Sequence, residues 1–250
     1  MINTQFEQFG FFHVPAFYTS DELYHVRDVV ECFHHQWVVD NKTFYQTKAV
    51  NSAYLTANTY LDEVQRLVLF KFIASHKLMA QVDSILTDAA FINTQLFFNP
   101  VDPTQSNYWH RDTQYHLDLN EQQAALSGPE VLHCRVALED EPGVELVPGT
   151  HKRWDTPIEL ATRLAHEPSK PSDDLASGHT IAMKAGDLLI FSANMLHRGL
   201  YGKDRLALDI LFSDPQPDVL HFVQDICLPS PDMFSELEDA SAFKVTLDHQ

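Results

Sequence analysis

Two short pairs in the chain could each share a metal ion: His110-Arg111-Asp112 and His116-Leu117-Asp118. On an extended strand, residues two apart point to the same face, so an imidazole nitrogen and a carboxylate oxygen would converge. The spacing does not choose between the pairs. With 14 histidines and 22 aspartates in 250 residues, about one such match arises by chance. A third group lies farther along. Gly186-Asp187 makes a turn, Leu188 to Phe191 reads as a strand, and Ala193 to Leu196 leads to His197. Arg205 follows at the start of another predicted strand.

Two histidines and one carboxylate on one face of a metal form the facial triad of non-haem Fe(II) oxygenases, which leaves positions open for a cosubstrate and oxygen. The planar fork of an arginine fits the far carboxylate of a dicarboxylic acid. Other residues have a chemical and a plainer reading. Gln95, on the strand before the first histidine pair, could hydrogen-bond a cosubstrate or lie on a strand surface. Arg135 could meet an acidic substrate or form a surface salt bridge with Glu139 or another acid. His133 shares a strand face with Arg135 and reads as a satisfied structural histidine. His151 reads as a loop-stabilising residue, Cys134 as core, and Phe97, Phe98 and Trp109 as packing.

The elements that must position these groups divide the chain. Seven of the eight glycines fall between Gly128 and Gly202, so the first portion is predicted helix-rich and the later portion turn-rich and β. Phe11, Phe12, Val14 and Phe17 read as a short strand and its exit. Ser20-Asp21-Glu22 has helix-opening chemistry, and Leu23, Val26, Val30 and Phe33 follow at helical spacing. Further helices are predicted over Leu61 to Phe72 and Lys77 to Leu86. The polar stretch from Asn41 to Thr59 reads as a loop that crosses an opening and orders on ligand binding. Strands are predicted over Asn93 to Phe98, Leu132 to Leu138, Val144 to Val147, Thr180 to Met183, Leu188 to Phe191 and Leu206 to Phe212. In the second of these, Leu132, Cys134, Val136 and Leu138 share one face. Short strands with regular turns predict a sandwich or barrel. The acidic, proline-containing tail from Asp214 is expected to wrap it.

Composition narrows the partners. Hydrophobic residues make up 44% and charged residues 21%, which excludes a wholly disordered chain. Asp and Glu outnumber Lys and Arg by 35 to 17, a net charge of -18. Such a balance argues against nucleic acid and anionic membrane surfaces as partners. The longest apolar run, Leu67 to Ile73, is broken by Lys71 and is too short to span a bilayer. The N-terminal MINTQFEQFG lacks the basic start and apolar core of a signal peptide. Cys32, Cys134 and Cys227 match no zinc or redox spacing, and are expected to be buried free thiols in a reducing compartment. A cytoplasmic location follows by elimination; oligomeric state is not legible.

Four segments in order resemble the phytanoyl-CoA dioxygenase family of Fe(II)- and 2-oxoglutarate-dependent oxygenases. Phe6 to Phe17 (FEQFGFFHVPAF) resembles its opening strand. Tyr108-Trp109-His110-Arg111-Asp112 resembles its Trp-His-x-Asp metal motif, and Val147-Pro148-Gly149-Thr150-His151 its Val-Pro-Gly-Ser-His turn. Gly186 to Phe191, leading to His197, resembles its distal-histidine segment. The resemblance selects His110 and Asp112 over His116 and Asp118. It implies His110, Asp112 and His197 as metal ligands and catalytic centre, with Arg205 and Gln95 on 2-oxoglutarate. The implied fold is mainly β with flanking helices, a double-stranded β-helix or cupin-like jelly roll. The implied organisation is a single domain over 1–250, with a helix-rich region over residues 1–92, a barrel core over 93–213 and a C-terminal wrap over 214–250. The implied reaction hydroxylates a small molecule with molecular oxygen and releases succinate and carbon dioxide. Halogenating relatives carry a small residue where this chain has Asp112, which implies oxygen insertion here. A metal-binding cupin of another class (an isomerase or an oxygenase that does not use 2-oxoglutarate) is the alternative, and a ligand-binding barrel without catalysis a further one. This sequence departs from the family in two places. Gly199 stands where a serine is frequent, and Arg205 lies closer to the distal histidine.

Overall fold

The computed structural model describes residues 2–202 and 204–249. The end points of the expected domain, 1 and 250, lie outside the described residues. Helices α1 (Ile2–Phe9), α2 (Ser20–Asp40), α3 (Lys42–Thr47), α4 (Glu63–Ile73) and α5 (His76–Val82) dominate the first portion, with strands β1 (Phe11–Val14) and β2 (Asn51–Ala53) between them. Then come β3 (Ala90–Phe98), α6 (Leu119–Ala125), β4 (Val131–Ala137), β5 (Glu141–Leu146), α7 (Pro157–Arg163), β6 (His179–Met183), β7 (Leu188–Ser192), β8 (His197–Gly199) and β9 (Leu206–Ser213). Short helices α8 (Pro217–Leu220) and α9 (Ser241–His249) lie in the C-terminal segment.

The strands form a six-stranded sheet, β1-β7-β4-β9-β3-β2, and a three-stranded sheet, β6-β5-β8, each antiparallel throughout. No strand pairing among the described residues closes them into a barrel. The alternation of the central strands explains how the sheets are used. Leu132, Cys134 and Val136 of β4, Leu188 and Ile190 of β7, and Leu208, Ile210 and Phe212 of β9 face one way, into a core shared with α2, α4, α5 and α9. Phe11, Leu189 and Phe191 face the other way, and meet Val144, Leu146, Ile181 and Met183 of the small sheet. His133, Arg135 and Asp209 project from this second face into a cavity.

α2 begins where the sequence predicts. Thr19 accepts from the Glu22 backbone N–H while Glu22 accepts from that of Thr19, a reciprocal cap that satisfies two otherwise orphaned donors. Leu23, Val26, Val30 and Phe33 are buried, joined by Val29 and Trp37. Each such side chain contributes about 1.5–3 kcal/mol of burial.

Three expectations are corrected here. The stretch 41–59 is not an irregular loop: α3 occupies some of it, and β2 pairs with β3 through Asn51–Phe97 and Ala53–Gln95. Short edge strands of this kind come from tertiary pairing and leave no periodicity to read. His110 and Asp112 do not lie on one strand. His110 makes an isolated bridge with His197, exchanging both backbone hydrogen bonds at 2.9 Å, and Asp112 opens a 3-10 turn, Asp112–Tyr115. Cys134 and Cys227 are buried free thiols as expected, whereas Cys32 is only partly buried and accepts from Gln65 Nε2 at 3.2 Å.

The C-terminal segment packs α9 on the sheet. Phe243 meets Phe91 and Phe70, and Thr246 donates to the Phe91 carbonyl at 2.8 Å. No helix among the described residues is long and apolar enough to cross a membrane.

Candidate active site

Between the sheets lies a cavity of about 1150 Å³. His110, Asp112 and His197 meet on its wall, with one ligand atom from each all within 4.8 Å of one another. Asp112 Oδ1 is 3.5 Å from His110 Nε2 and 3.7 Å from His197 Nε2. The inward nitrogens are free because the outward ones are held: His110 Nδ1 by the Tyr108 carbonyl at 3.1 Å, and His197 Nδ1 by the Met195 carbonyl at 3.0 Å. A backbone carbonyl accepts only from N–H, so Nδ1 carries the proton and Nε2 presents a lone pair. Burial lowers the pKa of both imidazoles, that of His197 to about 3, despite the favourable charge of Asp112. Neutral imidazole is the metal-binding form. Burial alone would raise the pKa of Asp112; His197, His133 and His110 outweigh it and hold the carboxyl well below the usual range.

The segment that carries His110 and Asp112 is pinned from behind. Arg111 is fully buried and donates to the carbonyls of Thr150, at 2.7 Å, and Asn194. It thereby ties the first motif to the Pro-Gly-Thr turn and to the approach to His197. Its guanidinium meets Asp155 at 2.8 Å, and Arg163 reaches the other oxygen of that carboxylate at 2.6 Å, all three side chains sealed from solvent. Trp109 is also buried, under Arg198 and donating to the Asp173 carbonyl.

A chain of buried charge runs along the cavity floor. His133 Nε2 lies 2.8 Å from Asp112 Oδ2 and its Nδ1 3.1 Å from Asp209 Oδ2. Asp209 Oδ1 accepts from Arg135 at 3.2 Å, and Arg135 also donates to both oxygens of Glu141 at 3.0 and 3.3 Å. Arg205 Nε stands 3.4 Å from Glu141 Oε2, an ion-pair distance without a hydrogen bond. Burial opposes charge on both His133 and Arg135, but the carboxylates raise both pKa values. Arg205 differs: burial, then Arg135, lower its pKa to about 10. Its Nε and Nη1 have no hydrogen-bond partner among the described residues, although it is 4% exposed. Phe97 and Tyr201 hold it on two rings, each centroid 5.5 Å from the guanidinium carbon. Orphaned buried donors of this kind are expensive unless a ligand takes them.

Arg135 is therefore no surface residue. Its partners are Glu141 and Asp209, whereas Glu139 pairs with Arg27. His133 is satisfied, as read from the sequence, but its partner is the central carboxylate. Gln95 lines the cavity level with Asp209, which is itself level with Arg135 across β3, β9 and β4. Phe97 also lines the cavity, under both arginines; Phe98 packs on His34, Trp37 and Tyr45. The second pair has other work: Asp118 caps α6, accepting from Asn120 and Glu121 N–H at 2.8 and 2.9 Å. His116 lies at the cavity edge against Phe222. Sequence reading missed Asp209, Glu141 and the Tyr108–Tyr115 hydroxyl pair, 3.0 Å apart beside His110. A polar residue inside an apolar central strand, such as Asp209 in LALDILF, was the available signal.

The model of the phytanoyl-CoA dioxygenase family matches residues 6–201, and the chain belongs to that family. No curated protein sequence matches it. Solved structures share the fold at low identity. HygX from Streptomyces hygroscopicus, determined with nickel and 2-oxoglutarate bound, is 15% identical with a TM-score of 0.61, covering 86% of this chain and 90% of its own. AviO1 from Streptomyces viridochromogenes is 17% identical, TM-score 0.56, covering 86% and 94%. The non-haem 2-oxoglutarate-dependent carbocyclase SnoK from nogalamycin biosynthesis is 18% identical, TM-score 0.55, covering 86% and 83%. The protein is an oxygenase-like enzyme whose cofactors are iron and 2-oxoglutarate, and the His-His-Asp group and the unpartnered donors of Arg205 fit both.

Proposed function

We propose that the protein hydroxylates a small molecule in a reaction that consumes oxygen and 2-oxoglutarate and releases succinate and carbon dioxide. The observation that carries this reading is the convergence of two elements on one cavity: three metal-ligand atoms within 4.8 Å, and a buried arginine with two unused donors. In this reading His110, Asp112 and His197 hold the iron, Arg205 takes the distal carboxylate of 2-oxoglutarate, and Gln95 contributes a hydrogen bond beside it. When bound, the metal would supply the place where molecular oxygen, the oxidant, reacts, and 2-oxoglutarate would supply electrons as it becomes succinate and carbon dioxide. The residues of this chain orient and shield: His110 and His197 keep their inward nitrogens deprotonated, and Phe97 and Tyr201 keep the Arg205 fork flat and dry.

Asp112 supplies an oxygen ligand where a halogenating enzyme would leave room for halide, so the product is expected to be independent of chloride. The two antiparallel sheets with the cavity between them support a jelly-roll arrangement in one dioxygenase domain, with a helix-rich region over residues 1–92, a barrel core over 93–213 and a wrap over 214–250. The three free cysteines support a reducing, cytoplasmic setting.

The fold is shared with proteins described as a carbocyclase and an epimerase, so the test must follow the substrate as well as the cosubstrate. Fe(II)-loaded protein is incubated with 2-oxoglutarate, oxygen and a panel of small metabolites, and succinate and product mass are measured. Succinate formed together with a product that has gained one oxygen atom is the expected result. Metal binding with no succinate from any panel member would favour a cupin of another class.

A further inference from the structure

Asp112 offers its two oxygens to different neighbours. Oδ1 faces His110 Nε2 and His197 Nε2 at 3.5 and 3.7 Å, whereas Oδ2 is 2.8 Å from His133 Nε2. His133 cannot turn away from that contact. Its other nitrogen is 3.1 Å from Asp209 on β9, and its ring stacks on Phe191 of β7, centroids 4.8 Å apart and planes 13° from parallel. His133 itself sits on β4 between those two strands, so three strands fix one imidazole. Each ring nitrogen faces a carboxylate oxygen, and a carboxylate only accepts, so His133 acts as a donor on both sides. Neither nitrogen has a lone pair to give to a metal, which separates His133 from His110 and His197.

We propose that His133 is a positioning residue that makes Asp112 a one-oxygen ligand, by occupying Oδ2 and leaving Oδ1 alone to face the metal. This rests on the metal-site reading above. The consequence is a count of open positions. A carboxylate that bound through both oxygens would use one of the positions that a facial triad leaves for cosubstrate and oxygen. Partners that orient a ligand in this way commonly change metal affinity or activity by about 10–100-fold when removed. His133 would thus govern how much room the metal offers, without touching metal or substrate.

Cobalt(II) in place of iron tests this without turnover, because its visible absorption reports coordination number. Wild type, His133→Phe, His133→Leu and His133→Gln are titrated with cobalt(II) under anaerobic conditions, and spectra are compared at saturation; 2-oxoglutarate is then added. His133→Phe keeps an aromatic ring to stack on Phe191 but no donor, His133→Leu is a smaller second removal should the first not fold, and His133→Gln keeps one donor for Oδ2. The removals are expected to weaken cobalt binding by about 10–100-fold, to change the spectrum of the saturated protein, and to weaken 2-oxoglutarate binding to it. His133→Gln is expected to recover much of the wild-type spectrum. A merely structural histidine would lower stability and leave the saturated spectrum unchanged. Identical saturated spectra in wild type and either folded removal would overturn the proposal, as would a His133→Gln spectrum no closer to wild type than the removals. Wild-type protein that binds no cobalt would sink the metal-site reading and this proposal together.

Discussion

A Cβ atom built on Gly199 would lie 2.5 Å from Arg205 Nη2 and 3.3 Å from its guanidinium carbon. The two positions that the resemblance sets apart are therefore neighbours in the fold. Arg205 comes early after the distal histidine, and the space for its fork is space that a side chain at position 199 would fill. A side chain at position 199 would therefore have to shift the Arg205 fork.

Gly199→Ser should accordingly displace Arg205 while leaving His110, Asp112 and His197 in place. Affinity for 2-oxoglutarate should fall by at least about tenfold, the scale of one lost charge-assisted bond, with metal affinity unchanged. Arg205→Lys should do the same although it keeps the charge, because an ammonium lacks the fork. Titration of the metal-loaded protein with 2-oxoglutarate measures both.

Asp112→Ala and Asp118→Ala form an internal control. The first removes the carboxylate proposed to hold the metal and should abolish iron binding. The second removes a helix cap at an exposed position and should cost about 1 kcal/mol of stability, with iron content near wild type. Metal analysis after gel filtration distinguishes them.

Asp155→Ala removes the carboxylate shared by two sealed guanidinium groups. Breaking a buried pair from one side costs about 3–5 kcal/mol. For a chain of this size that corresponds to a fall in thermal midpoint of about 6–20 °C, measurable by calorimetry on metal-free protein. A change of under a few degrees would show that water reaches Arg111 and Arg163.

Glu130 has a pKa raised from 4.5 to about 7, chiefly by burial and only partly countered by hydrogen bonds from Ser192 and the Val131 N–H. Below 4.5 it is protonated in folded and unfolded chains alike. Between 4.5 and about 7 the unfolded chain ionises and the folded one does not, so stability is lost as pH rises. Glu130→Gln should remove that slope. The variant should match wild type at the acid end and exceed it above about pH 7, as read from denaturant midpoints.

The convergence of His110, Asp112 and His197 was legible because motif order carries it: a Trp-His-x-Asp segment, a Pro-Gly-Thr-His turn and a later histidine. The choice between Asp112 and Asp118 had a second signal in the chain. Asp118 is followed three places later by Glu121, the signature of a capping box, and that is the role it has. Helices with strong periodicity, such as α2, were legible from local chemistry. β2 was not, since three residues become a strand only by pairing with β3. The face shared by His133 and Arg135 was legible by alternation. Their partners were not, because Asp209 is brought beside them by strand order and Asp112 by the turn after His110. A surface pair with Glu139 or another acid was expected for Arg135; the fold buries it against Glu141 and Asp209.

In the proposed site His110, Asp112 and His197 hold iron next to Arg205, which binds 2-oxoglutarate. The most direct test is an anaerobic titration of Fe(II)-loaded protein with 2-oxoglutarate, followed by the visible charge-transfer band of the chelate. A saturable band is expected in wild type, a band at much higher 2-oxoglutarate concentration in Arg205→Lys, and none in Asp112→Ala. A wild-type protein without the band, or an Asp112→Ala protein that retains it, would show that these residues do not form the iron and 2-oxoglutarate site.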